Sequence, residues 1–230
     1  MQLIGLVGQS RGRWNERHAI LSQMLALTSP EKDVATGFFA CTVPRRTGSA
    51  PRLIYDRALL PAGAFIVQSL RWRSLSQCGA VLAYVKDAGA NDTSISIPPF
   101  VSTDRKWAAI EHGIVVPSDL SSQNRVNGSV LLGLRDDHDK ALQIVDMLNS
   151  GVPPMTAAVV DLTLERLHIG RIGQPLCLCR WRGETCWFLA PSFDLFHEAV
   201  RTVLGPQSPI VEAAIPVADG TLLTLMTDGV

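Results

Sequence analysis

The residues of this chain whose types and spacing most directly suggest chemistry are Cys177, Cys179 and Cys186. Cys177 and Cys179 share one strand face, and a turn at Arg182-Gly183 would set Cys179 opposite Cys186 across a hairpin. Three thiolates bind zinc when a fourth ligand completes the tetrahedron, and no fourth ligand is evident nearby. The trio is therefore taken as buried small hydrophobes, with no metal and no cofactor expected. His112 is the next candidate, because Glu111-His112-Gly113 interrupts an apolar strand, an irregularity of the kind that active sites produce and that a satisfied strand-end histidine also produces. Cys41 and Cys78 lack the strand-turn setting and adjacent base that activate a nucleophile. There is no Gly-x-Ser-x-Gly elbow and no phosphate-binding glycine loop after a strand. Gly5 and Gly8 lie in the short apolar run Leu3-Ile4-Gly5-Leu6-Val7-Gly8, where a missing side chain implies a close neighbour, either a ligand or another element.

These candidates sit in a chain of 230 residues, 47% hydrophobic and 18% charged, with 21 basic and 21 acidic residues. That composition is an ordinary globular interior on a modestly charged surface, expected to form a single domain over 1–230. Balanced charge provides no field toward nucleic acid or anionic lipid, so neither is an expected partner. No apolar stretch approaches the ~20 residues of a membrane span, and no basic-then-hydrophobic leader opens the chain, so a cytoplasmic location is expected. Five cysteines, an odd number in a long chain, suit reduced thiols better than a disulfide framework.

The elements that must position the candidates alternate in type. Residues 3–8 read as a buried strand, and Asn15 is placed to cap a helix to Leu27 with Ala19, Ile20, Met24 and Leu27 on one face. Val34 to Val43 and Leu53 to Tyr55 read as paired strands around the basic tract 44–52, which reads as a solvated hairpin loop. Ala62 to Ser76 reads as a helix, Ala80 to Val85 as a strand, and Asp87 to Ser102 as a long loop suited to a pocket wall or lid. Trp107 to Val116 follows as a strand. A helical region from Gly128 or Ser129 to Leu148 is broken near Asp136-Asp137, with Asp137 placed to cap its second segment. The last third reads as an antiparallel meander of four strands (155–161, 164–169, 175–182 and 185–190). A helix from Phe193 to Leu204 and a final hairpin turned at Asp219-Gly220 complete it.

Taken in order, these segments resemble the glutaminase domain of class II glutamine amidotransferases, particularly that of glucosamine-6-phosphate synthase. The family's opening Cys-Gly-Ile-Val-Gly is similar to Ile4-Gly5-Leu6-Val7-Gly8, and its His-Asn-Gly-Ile-Ile strand end to Glu111-His112-Gly113-Ile114-Val115. Asn127-Gly128-Ser129-Val130 resembles its Asp-Thr-Glu-Val, and Arg171-Ile172-Gly173-Gln174-Pro175-Leu176 its Arg-Asn-Gly-Ser-Pro-Leu. Trp187-Phe188-Leu189-Ala190-Pro191-Ser192 resembles its Phe-Leu-Ala-Ser-Asp, and the Asp219-Gly220 hairpin with Thr227-Asp228-Gly229-Val230 resembles its domain end. The resemblance implies an α+β fold, the four-layer αββα sandwich of N-terminal-nucleophile hydrolases.

It also implies a degenerate site. Ile4 stands where the family's nucleophilic cysteine would be, beside Gly5, and an isoleucine cannot attack an amide. His112-Gly113 replaces the Asn-Gly oxyanion pair, Tyr84 the arginine that clamps the α-carboxylate, and Asn127 the aspartate that holds the α-ammonium. Lys86, two residues along, is a partial substitute for the clamp. Losing one oxyanion donor costs about 3 kcal/mol of transition-state stabilisation, and losing a charge-assisted clamp about 2–5 kcal/mol. The expectation is a stand-alone amidotransferase-like protein without glutaminase activity, working as a binding, regulatory or structural module through a protein partner or self-association. The alternatives are an active amidotransferase or amide hydrolase with a relocated nucleophile (Cys41, Cys78 or a water activated by His112), and a sensor of amino-acid-like molecules with 87–102 as lid.

Overall fold

The computed structural model describes residues 1–8, 13–28, 34–42, 50–76, 78–88, 92–93, 97–115, 139–207 and 211–226. Among these residues two antiparallel sheets face one another. One has seven strands in the order β11-β9-β10-β1-β4-β2-β3, the other five in the order β12-β8-β7-β6-β5. The strands of the larger sheet are β1 (Gln2–Val7), β2 (Val34–Thr42), β3 (Leu53–Ala58), β4 (Cys78–Asp87), β9 (Cys177–Trp181), β10 (Trp187–Ala190) and β11 (Val211–Pro216). Those of the smaller are β5 (Phe100–Val101), β6 (Trp107–Val115), β7 (Gly151–Asp161), β8 (Arg166–Ile172) and β12 (Leu222–Met226).

Three apolar clusters define four layers. The first joins the outer face of the larger sheet to α1 (Trp14–Leu27), α2 (Ala62–Gln68), α3 (Leu70–Arg73) and α5 (Phe193–Leu204), through Ile4, Leu6, Ile20, Phe38, Phe65, Trp72, Phe188 and Phe196 among others. A second lies between the sheets, where Leu3, Val7, Phe39, Leu82 and Tyr84 meet Ile110, Ala158, Val160 and Ile169. The third packs α4 (Lys140–Ser150) on the outer face of the smaller sheet through Ile144, Leu148, Trp107 and Val159. Strand alternation produces this arrangement, since successive side chains point to opposite faces and both faces of each sheet are covered. The αββα sandwich expected from the resemblance is the observed fold. No helix among the described residues is long and apolar enough to cross a membrane.

Local expectations fail where tertiary packing or a longer loop decides. Helix α1 starts one residue before Asn15, with Arg13 at the cap position at φ 42 and no side-chain cap. Its buried face is Ile20, Leu21, Met24 and Leu25, and Leu27 is 42% exposed. The predicted helix 62–76 breaks at Ser69, whose extended backbone ends α2 while its hydroxyl accepts the Trp72 N–H that opens α3. Asp139 caps α4, its carboxylate 2.8 Å from Ala141 N. The rest of the region predicted from 128, including Asp137, lies outside the described residues, as does most of the basic tract 44–52.

The larger corrections concern pairing. The predicted meander is divided between sheets: β7 pairs β8 in the smaller one, and β9 pairs β10 in the larger. The final hairpin is no hairpin either, because β11 pairs β9 and β12 pairs β8, so the turn at Asp219-Gly220 joins the two sheets. Cys179 stands opposite Phe188 rather than Cys186, since the β9–β10 loop takes up more residues than a tight turn.

Candidate functional site

Strand β1 lies inside the larger sheet, between β10 and β4. Ile4 and Leu6 point to the helical layer and Leu3 and Val7 to the other sheet. Ile4 is fully buried. A methyl on Gly5 would sit 2.7 Å from Leu82 Cδ1 and 2.9 Å from the Val81 carbonyl, so the close neighbour this glycine requires is strand β4. Gly8, at φ +133, brings its backbone against Cys186, whose Cα would be 3.1 Å from an added Cβ. Both glycines serve packing between elements.

Tyr84 sits opposite Leu3 on one side and Gly37 on the other. It is fully buried between the sheets, and its hydroxyl donates to the Pro98 carbonyl. Burial pushes its phenol well above the usual range. Arg57 on β3 donates to the carbonyls of Ile97 (2.9 Å) and Pro99 (2.7 Å). Together Tyr84 and Arg57 tie residues 97–99 across the sheet, so this part of the expected loop 87–102 is a strap held by three hydrogen bonds. Lys86 is engaged by Asp92 at 3.1 Å.

His112 stands opposite Thr156, and the register shifts at Gly113 before Ile114 meets Val152, which places a bulge at the predicted irregularity. Asn127 lies outside the described residues. Ile4 and Tyr84 are on opposite faces of the same sheet and do not share a cavity.

The sandwich does open at the Met1 end of β1. Met1, Leu3, Thr156, Arg171, Gln174, Pro175 and Leu176 line a shallow cleft with room for about one water molecule. Its wall at 171–176 is the stretch singled out in the sequence. Arg171 fixes that wall: its Nε donates to the Val217 carbonyl (3.1 Å), its guanidinium also reaches the Gln174 carbonyl, and Nη1 lies 2.9 Å from Asp219. Asp219 in turn accepts the Gly173 N–H at 2.8 Å. Burial lowers the pKa of the Met1 α-amine, against a raising influence from Asp87. Sequence reasoning missed Met1, Leu3 and Thr156. Thr156 alone carried a signal, a polar residue at an inward position of the apolar run 155–160.

None of the five cysteines is in a disulfide, and all are buried. Burial pushes the Cys78 thiol up to about 12 and that of Cys186 up to about 11, so both stay protonated at neutral pH. Among the described residues no three His, Cys, Asp or Glu side chains are grouped to hold a metal ion.

No family model and no curated protein sequence matches the chain. Solved structures do. An allosteric regulatory enzyme of purine biosynthesis superposes with a TM-score of 0.67 at 13% identity, covering 100% of this chain and 48% of that one. The glutamine phosphoribosylpyrophosphate amidotransferase from B. subtilis does so at 0.61 and 13%, with the same coverage. A predicted glutamine amidotransferase from Pseudomonas aeruginosa PA01 reaches 0.44 at 10% identity, covering 99% of this chain and 98% of that one. The chain thus spans about half the length of the first two. Their likeness shows a shared fold, the N-terminal-nucleophile-hydrolase sandwich of class II glutamine amidotransferases.

Proposed function

We propose that this chain is an amidotransferase-like domain without glutaminase activity, acting as a binding, regulatory or structural module toward a protein partner or a second copy of itself. The observation that carries the reading is the burial of Ile4. Its side chain has 0% exposure and belongs to the apolar layer shared with α1 and α5, so the position matched to the nucleophile offers neither a reactive atom nor access to substrate. Tyr84 supports it as well, because the residue matched to the carboxylate clamp spends its hydroxyl on Pro98. A relocated thiol is disfavoured by the raised Cys78 and by the burial of Cys41. A glutaminase assay on the purified chain is expected to give ammonia release no faster than buffer. Turnover abolished by a glutamine-analogue inactivator would overturn the proposal.

A second reading, a sensor of small amino-acid-like molecules, has one observation in its favour, the cleft at Met1 and Thr156. With room for about one water molecule as it stands, it would have to widen to take even the smallest amino acid. A thermal-shift screen of amino acids separates this reading from a pure interaction module, since a bound ligand must raise the melting temperature.

A further inference from the structure

Cys177 and Cys179 take no part in the cleft, yet their sulfurs lie 3.4 Å apart on one face of β9. Both are free thiols. Cys177 opens the strand directly after Leu176 of the cleft wall and is 8% exposed, whereas Cys179 is 0% exposed. The Cys177 Sγ donates to the Ala190 carbonyl at 3.3 Å, which leaves Cys179 as the donor between the two sulfurs. That bond draws the Cys177 thiol below its ordinary value, while donating it, together with burial, raises Cys179. The pair is therefore asymmetric, with Cys177 the less deeply buried and the easier to ionise and Cys179 fully buried and protonated.

We propose that Cys177 and Cys179 form an oxidative modification site, in which a hydroperoxide converts them to an intrastrand disulfide that loosens β11 and the cleft wall it holds. The Cys177 thiolate attacks the distal peroxide oxygen, the O–O bond breaks, and a sulfenic acid forms as water or alcohol leaves. The Cys179 sulfur then attacks the Cys177 sulfur, the S–O bond breaks, the Cys179 proton goes to the departing hydroxide, and water is released. Two thiols are oxidised by two electrons and one peroxide is reduced. A hydroperoxide is small enough to reach a residue that is 8% exposed, where a bulky disulfide reagent is not.

The consequence follows from strand geometry. Residues two apart on an extended strand have Cα atoms about 6.6–6.8 Å apart, the upper limit of what a disulfide spans, and their Cβ atoms are farther apart than the about 3.5–4.5 Å it prefers. Closing the bond must buckle the chain at Leu178, which pairs with Leu189 of β10 on one side and Ile215 of β11 on the other. β10 has β1 behind it, but among the described residues β11 is an edge strand paired with β9 alone. Beyond β11, Val217 donates to the Leu176 carbonyl at 2.9 Å and accepts from Arg171, so loosening β11 reaches the cleft. This inference rests on β9 and not on the missing glutaminase chemistry, so either can fail without the other.

Peroxide titration of the full chain, followed by mapping of the tryptic peptide between Arg171 and Arg180, tests it. The expected product is that peptide lighter by two hydrogens and restored by dithiothreitol, with amide exchange over 211–216 faster by roughly tenfold or more. Cys179→Ser is expected to stop at a sulfenic acid on Cys177 that dimedone traps, and Cys177→Ser to slow peroxide consumption by roughly tenfold. If either variant does not fold, the map of the unaltered chain decides. Oxidation appearing first at Cys41, Cys78 or Cys186, or a Cys177–Cys179 disulfide with unchanged exchange in β11, would overturn the proposal.

Discussion

The two ends of β1 are each stitched by an arginine, and the two stitches differ. At the Gly8 end Arg17 of α1 meets Glu184 of the β9–β10 loop in a two-pronged pair at 2.6 and 3.0 Å, with side-chain exposures of 5% and 1%. The same carboxylate accepts the N–H groups of Thr185 at 2.7 Å and Cys186 at 3.1 Å. At the Met1 end Arg171 binds mainly backbone carbonyls, and its carboxylate partner Asp219 is 58% exposed. One end is sealed by charges that solvent does not reach. The other keeps its charges at the rim and leaves a cleft. How deeply each stitch is buried is therefore decided by where the partner carboxylate sits, since both ends have an arginine.

Breaking the sealed end should have the largest effect. Arg17→Ala strands a buried carboxylate and is expected to cost about 3–5 kcal/mol in urea unfolding, with Arg17→Met combined with Glu184→Leu recovering much of it. If the single change costs under about 1 kcal/mol, that end is not sealed and the contrast falls. Burial pushes the Glu184 carboxyl up, but the Arg17 hydrogen bond and the Cys186 and Thr185 N–H groups outweigh it and hold the carboxyl below its ordinary 4.5. The stability this brings is fully present above that unfolded value and is lost as pH falls through the lower folded one. Melting temperature followed downward from pH 6 should show an acid-limb drop that the Arg17 variant lacks.

Next in size, Ile4→Cys should cost about 1–3 kcal/mol for lost packing and confer no glutaminase activity, because the new thiol would face α1 and α5. A gain of turnover would move the reactive face of β1 to the helical side and sink the assignment of the open end. Tyr84→Phe leaves the Pro98 carbonyl without its donor, for about 1–2 kcal/mol, and should speed amide exchange near residues 100–102. The smallest effect is expected at the rim, where Asp219→Asn should cost under about 1 kcal/mol and lose even that at high salt.

Most of the layering was legible from residue order, because unbroken apolar runs such as Leu3–Val7 and Ala157–Val160 report burial on two faces, and α5 was legible as a helix from Phe193 to Leu204. Register across the domain was not. The division of the meander between β8 and β9 depends on which strand each edge finds, and the turn signal at Asp219-Gly220 is the same whether the flanking strands pair or part. Cys186 was misplaced for a related reason: Glu184 is drawn out of the turn to reach Arg17, 167 positions earlier. At the site, the glycines and the Arg171–Leu176 wall were legible through their resemblance to a known framework. The direction of the Ile4 side chain was not, since a six-residue apolar strand buried on both faces gives no clue to which face is which.

The placement of β1 also has a consequence for the order of synthesis. Of the strands described here it is made first, yet it ends in the interior of a sheet, flanked by β4 and β10. Its β4 side is satisfied once residues 78–87 emerge, whereas its other side waits for residues 187–190. Until then β1 carries a bare, apolar hydrogen-bonding edge, a template for another nascent chain. The protein's yield in the cell should accordingly depend on how well that edge is shielded until β10 arrives.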